Sequence, residues 1–121
     1  MQKDGTSFLD RIRPEVIALV MDIPAGRFTT YGTLARHLGI NPRHVARILS
    51  HLEADESERL PWHRVVAAEG RISRSMPDDA QAEQRQRLGQ EGLSIDDRGF
   101  IRDPDPHFHA PGYSSFPRFG K

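Results

Sequence analysis

The junction Gly39-Ile40-Asn41-Pro42 constrains this chain more than any other four residues. Glycine after an apolar-periodic stretch ends a helix, because it enters the left-handed conformation without a Cβ penalty. Asparagine followed by proline starts the next one. The amide side chain caps the first turn, and proline occupies a position that needs no N–H. Upstream, Thr30 is a cap for a helix whose Leu34, Ala35 and Leu38 face inward. Downstream, Val45, Ile48, Leu49 and Leu52 recur at i, i+3, i+4 and i+7 and form one buried stripe. Arg43, Arg47 and His51 share the opposite face. Two short helices joined by a glycine turn, the second presenting arginines, read as a helix-turn-helix.

The rest of the chain is arranged around that pair. Residues 1–11 read as a loose lead-in. Val16, Ile17, Leu19, Val20 and Ile23 have helical spacing, with Pro14 in the first turn and Pro24-Ala25-Gly26 as the stop. Phe28-Thr29 is an extended link, and residues 53–59 are a polar, acidic loop. Arg64-Val65-Val66-Ala67 and Arg71-Ile72-Ser73 flank Glu69-Gly70, which predicts a small β-hairpin wing. Residues 78–91 form a polar helix, frayed and partly packed, closed by Gly92. A second short hairpin is expected around Asp97-Arg98-Gly99. The expected class is mainly α, a winged helix-turn-helix over residues 1–102. Residues 103–121, rich in Pro, Gly and Ser, read as an irregular or disordered tail.

With 121 residues and 36% hydrophobic content, one domain with a modest core is expected. No apolar run approaches the ~20 residues that span a bilayer, and the first residues lack the apolar stretch of a signal peptide. The expectation is a cytoplasmic monomer without membrane contact. The formal net charge is zero, yet of the 17 basic residues only Lys3 and Lys121 are not arginine. Arginine suits bidentate phosphate contact and stacking. The acidic residues Glu53, Asp55, Glu56 and Glu58 are bunched, which leaves room for a basic face elsewhere. There is no cysteine, so disulfides, thiolate metal sites and cysteine catalysis are excluded. His107-Phe108-His109 has two histidines at i, i+2 in a Pro-rich tail, which reads as solvated residues and not a metal site. No metal and no cofactor are expected.

The remaining feature is Pro61-Trp62-His63-Arg64-Val65-Val66. A lone tryptophan beside a turn is ordinarily a core residue. Here it follows Ile23-Pro24-Ala25-Gly26, Thr29-Thr30-Tyr31-Gly32, Leu34-Ala35 and Ala46-Arg47, and precedes Gly70 and Glu91-Gly92. In this order, from about Ile12 to Leu93, the sequence resembles the O6-alkylguanine-DNA alkyltransferases. Those enzymes read Pro-Cys-His-Arg-Val at the corresponding place, and their cysteine thiolate takes the alkyl group from a damaged guanine. Trp62 stands in the cysteine's position, and an indole is not a competent nucleophile.

The resemblance therefore implies an alkyltransferase-like protein that binds O6-alkylguanine in double-stranded DNA from the minor groove, flips it out and does not repair it. Passing the lesion on implies nucleotide excision repair proteins as partners. By the same resemblance Arg47 is the finger that replaces the flipped base. The stretch from Gly39 to Arg47 is longer than the usual family turn, and Arg43 is the alternative finger. Tyr31, Trp62, Val65, Ser73, Arg74 and Ser75 would line the lesion pocket. Thr30, Tyr31, Gly32, Arg43, His44, Arg47 and His51 would touch DNA. His63 and Glu91 match the pair that activates the cysteine in the enzymes. Without a nucleophile they are expected to form a structural hydrogen bond, with Arg64 bracing the site. A winged-helix transcription regulator accounts for the helix-turn-helix but not for Pro-Trp-His-Arg-Val-Val or Glu91-Gly92. A hydrolase using His63 and Glu91 lacks a nucleophile or metal.

Overall fold

The computed structural model describes residues 7–111. Helix α1 runs Phe8–Met21 and starts earlier than its apolar spacing suggests. Ser7 caps it reciprocally: its hydroxyl accepts from the Asp10 amide at 3.2 Å, and the Asp10 carboxylate accepts from the Ser7 amide at 3.3 Å. Pro14 therefore lies inside the helix and not in its first turn. It removes one intrahelical bond on an exposed face.

Helix α2 (Tyr31–Leu38) and helix α3 (Pro42–Ser50) begin and end where the junction predicts. Thr30 Oγ1 accepts from the Thr33 amide at 3.0 Å, and Asn41 Oδ1 from the Arg43 amide at 3.0 Å. Gly39 has φ +72°, and the next amide, Ile40, donates back to the Ala35 carbonyl at 2.9 Å. The apolar stripe of α3 divides. Val45 and Ile48 enter the core, whereas Leu49 and Leu52 are only half-buried.

Strand β1 (Thr29–Thr30) pairs in parallel with β2 (Val65–Val66), Thr29 opposite Val65. Successive strand residues point to opposite faces. Accordingly Val65 joins the core of α1, α2 and α3 around Val16, Val20, Leu34 and Ile48. Val66 joins a second cluster with Phe28, Leu88, Leu93 and Ile101. The two-residue ladder thus stitches the helix-turn-helix to the C-terminal half.

Other expectations are corrected. Residues 53–59 are not a loop: helix α4 (Ala54–Arg59) forms there and is tied to α1 by an ion pair between Arg13 and Glu56. The wing is reduced to one antiparallel bridge, Ala67 with Arg71, closed by a 3-10 turn at Ala68–Gly70. The second hairpin is present, with Ile95 bridged to Ile101. Helix α5 (Asp78–Gln90) is anchored rather than frayed, since Gln84 and Leu88 are fully buried. Its end is closed by Gly92 at φ +97°, where the Leu93 amide donates to the Leu88 carbonyl at 3.1 Å.

Packing continues past the expected boundary after Arg102. Phe108 bridges Phe28, the His109 amide donates to the Phe28 carbonyl at 2.8 Å, and the His109 side chain is buried rather than solvated. The part of the expected tail from 112 to 121 lies outside the described residues.

Candidate nucleic-acid interface

The parallel pairing of β1 with β2 sets the N-terminus of α2 beside the turn that carries Trp62. Between them and α3 lies a cavity of about 340 Å3. Tyr31, Trp62, Ser73 and Ser75, expected in the lesion pocket, line it together with Arg43, Arg47 and His51, expected to touch DNA. Tyr31 is half-buried, and burial raises its phenol above the ordinary value, so it is a neutral donor at physiological pH. Arg43, Arg47 and His51 fall one helical turn apart along α3. His51 Nδ1 and Ser50 Oγ both donate to the Arg47 carbonyl at 2.9 Å, closing the C-terminal turn.

Trp62 sits in a 3-10 turn, Trp62–Arg64, with its ring half-buried in the cavity wall. Its indole N–H is already committed, donating to the Ser57 carbonyl of α4 at 3.0 Å. The Arg87 guanidinium lies 5.6 Å from the ring centroid. What Trp62 offers the cavity is therefore an aromatic surface and not a hydrogen-bond donor.

Two of the residues expected in the lesion pocket lie elsewhere. Val65 is fully buried in the core and does not reach the cavity. Arg74 points the other way, into a separate cleft, because Ser73 and Ser75 on either side of it take the cavity face. His44 turns toward α1 and meets Phe8 edge-on at 5.0 Å, so it is packed rather than presented. Thr30 spends its hydroxyl on capping α2. Gly32, expected to touch DNA, lies outside the cavity lining. Conversely Ala46, Leu49, Ser50, Met76 and Pro77 line it without having been expected there. Ala46 and Ser50 flank Arg47 on α3 and were legible from helical spacing. Met76 and Pro77 lie in an irregular segment that carries no periodic signal.

Behind the wall, His63 is buried and donates from Nε2 to Glu91 Oε2 at 2.9 Å. Glu91 is held more firmly by Arg64, whose Nε and Nη2 lie 3.0 and 2.6 Å from its two oxygens, and by the Gly26 amide at 3.0 Å. Burial by itself would raise this carboxyl. The hydrogen bonds from Arg64, Gly26 and His63 outweigh it and bring the value down to about 2. His63 moves the opposite way from a paired histidine. Its burial lowers it below 6.5, against the pull of Glu91. Arg64 also donates to the Ile23 carbonyl at 2.8 Å, and Gln84 donates to the carbonyls of His63 and Val65 at 3.1 and 2.9 Å. The network braces the turn from both sides. The sequence suggested the His63–Glu91 bond and a bracing Arg64; the part played by Gln84 was missed.

Among the described residues no group of three or more His, Asp or Glu is placed to hold a metal ion. The family described as 6-O-methylguanine DNA methyltransferase, DNA binding domain, matches residues 11–93. The chain is 34% identical over 89 residues to Alkyltransferase-like protein 1 of Schizosaccharomyces pombe, covering 72% of this chain and 81% of that protein. It is 40% identical over 95 residues to the DNA base-flipping protein of Escherichia coli, covering 76% of this chain and 70% of that one. Its fold matches the crystal structure of S. pombe Atl1 in complex with damaged DNA containing O6-carboxymethylguanine, with a TM-score of 0.66 and 32% identity over 79% of this chain and 83% of Atl1. With this match over most of its described length, the chain belongs to the alkyltransferase-like proteins, built on the O6-methylguanine methyltransferase DNA-binding domain.

Proposed function

We propose that this protein binds O6-alkylguanine in duplex DNA, holds the base turned out of the stack and leaves the alkyl group in place. The observation that carries the reading is a cavity walled by the Trp62 ring, with Arg47 on its α3 side and no thiol anywhere in the chain. Its volume of about 340 Å3 lies within the ~300–1,000 Å3 range of small-molecule sites, enough for a single extruded base.

In this reading α3 enters the minor groove. The start of α2, where backbone amides favour anions, receives the phosphate next to the lesion, and Tyr31 crowds it. Arg47 enters the gap left by the base, where a planar cation both stacks and hydrogen-bonds the orphaned partner. The base lies against Trp62, which contributes stacking and dispersion.

Alkyl transfer would need a nucleophile about 3–3.5 Å from the alkyl carbon. The indole occupies that side of the cavity and supplies none. Glu91, held at about 2 by Arg64, is a weak base, and His63 has no thiol to activate. A lesion that is bound and not removed has to be handed on. We infer that the distorted duplex, with the protein on it as a monomer in the cytoplasm, is passed to nucleotide excision repair proteins.

The test is a pair of titrations on one duplex sequence, with and without a single O6-methylguanine. Clear preference for the damaged duplex, independent of flanking sequence, supports the proposal. Equal affinity for both, with preference for particular sequences, would instead mark a winged-helix transcription regulator.

A further inference from the structure

Segment 73–77 has two sides. Ser73 and Ser75 face the cavity, and Arg74 faces a second cleft of about 480 Å3. Four arginines line that cleft: Arg71, Arg74, Arg85 and Arg98. Two carboxylates also line it, Asp78 in the first turn of α5 and Asp97 at a hairpin tip, so the lining carries a net positive charge. Among the described residues none of the four arginines has a carboxylate within salt-bridge distance, although the ion pairs of Arg13, Arg59, Arg64 and Arg87 are all formed.

Three of the four are nevertheless held in place. Arg71 and Arg98 both lie over the Phe100 ring, 4.8 and 5.4 Å from its centroid. Arg71 Nε donates to the Arg98 carbonyl at 3.1 Å, and Arg85 Nη1 to the Asp96 carbonyl at 3.1 Å. The Asp96 carboxylate, next to Asp97, is occupied by the amides of Arg98 and Phe100. Guanidinium groups oriented by a ring and by carbonyls, and not neutralised by carboxylates, keep donors available for an anion.

We propose that this cleft is a second DNA contact, taking phosphates of the strand that flanks the flipped nucleotide. The inference rests on the lesion-binding reading of the neighbouring cavity. The wall between the two is the single chain segment 73–77, and a DNA strand advances ~3.4 Å per nucleotide. Phosphates one to three nucleotides from the flipped base therefore come within reach of Arg74 and the arginines behind it. Such contacts carry no information about the lesion. They raise affinity for damaged and undamaged duplex alike, and α3 with Trp62 supplies the discrimination.

The experiment titrates wild type, Arg74→Gln and the double variant Arg74→Gln/Arg98→Gln against both duplexes between 50 and about 200 mM salt. Thermal melting accompanies each variant; Arg74 is exposed and its side chain makes no hydrogen bond among the described residues, so its single variant keeps the test valid if the double variant unfolds. Each lost phosphate contact should lower the slope of log affinity against log salt by about 1 and weaken both duplexes by the same factor. An unchanged slope in folded variants would overturn the proposal and point to an acidic protein surface as the occupant. A fall in lesion preference with the slope intact would also overturn it. If wild type itself shows no lesion preference, it is the reading of the cavity that has failed.

Discussion

Trp62 and His63 are neighbours in the chain and belong to different regions of the molecule. Trp62 lines an open cavity, its ring half-exposed and its one donor spent on α4. His63, one residue on, is buried and sits in a network with Glu91, Arg64 and Gln84 that ties the turn to α5 and to the Ile23 carbonyl. The difference separates two roles that a catalytic site would combine. The groups resembling an activating relay form the brace, and the face where chemistry would occur holds an aromatic surface. The brace should govern stability, and the cavity wall should govern binding.

Glu91→Gln is the strongest way to break that division. It takes the charge partner from Arg64 and weakens the bonds to Gly26 and His63. Removing one member of a fully buried pair costs about 3–5 kcal/mol, and here about 2–3 kcal/mol is expected because both side chains retain some solvent contact. Chemical denaturation should show the loss, while the ratio of affinities for damaged and undamaged duplex stays near that of wild type. A stable variant that has lost its lesion preference would mean that Glu91 acts in the site itself.

Arg47→Ala tests the other region. Lesion affinity should fall by about 1–3 kcal/mol, the worth of a good stacking or bidentate contact, with no change in melting. Arg43→Ala should cost less. The reverse order in a binding titration would make Arg43 the finger, one turn nearer the start of α3.

These two regions were unequally legible in the sequence. The cap of α2 by Thr30, the stop at Gly39 and the start at Asn41-Pro42 are local chemistry, settled within four residues, and the structure repeats them. Arg43, Arg47 and His51 followed from helical spacing. The brace was read only in part, because Gln84 is recognisable only once α5 is packed across the turn. The same blindness to long-range contacts made residues 53–59 look like a loop. It also placed a boundary before His109, whose burial depends on Phe28. Arg74 was misdirected because an irregular segment gives no period from which to tell its two sides apart.

The smallest effect is on pH dependence. His63 is lowered in the folded state, so between its folded value and 6.5 the unfolded chain binds the extra proton. Stability is full above about 6.5 and falls as acid is added below it. Glu91 is lowered from 4.5 to about 2, so a second loss runs between those values. Melting temperatures followed from neutral to acid pH should decline in both windows, and Glu91→Gln should show a smaller loss in the lower one, where Glu56 and Asp96, also lowered by their hydrogen bonds, still contribute. Stability that rises on acidification from pH 7 to 5 would contradict the burial of a neutral His63.

Binding without repair is tested most directly with a duplex whose single O6-methyl group carries the radiolabel. The protein is incubated with it in excess for hours, the complex is isolated, and protein and DNA are then separated under denaturing conditions. The account predicts a stable complex from which all label is recovered on intact O6-methylguanine in the DNA. Label on the protein, in stoichiometric amount, would show that another side chain accepts the methyl group and that Trp62 does not end the chemistry.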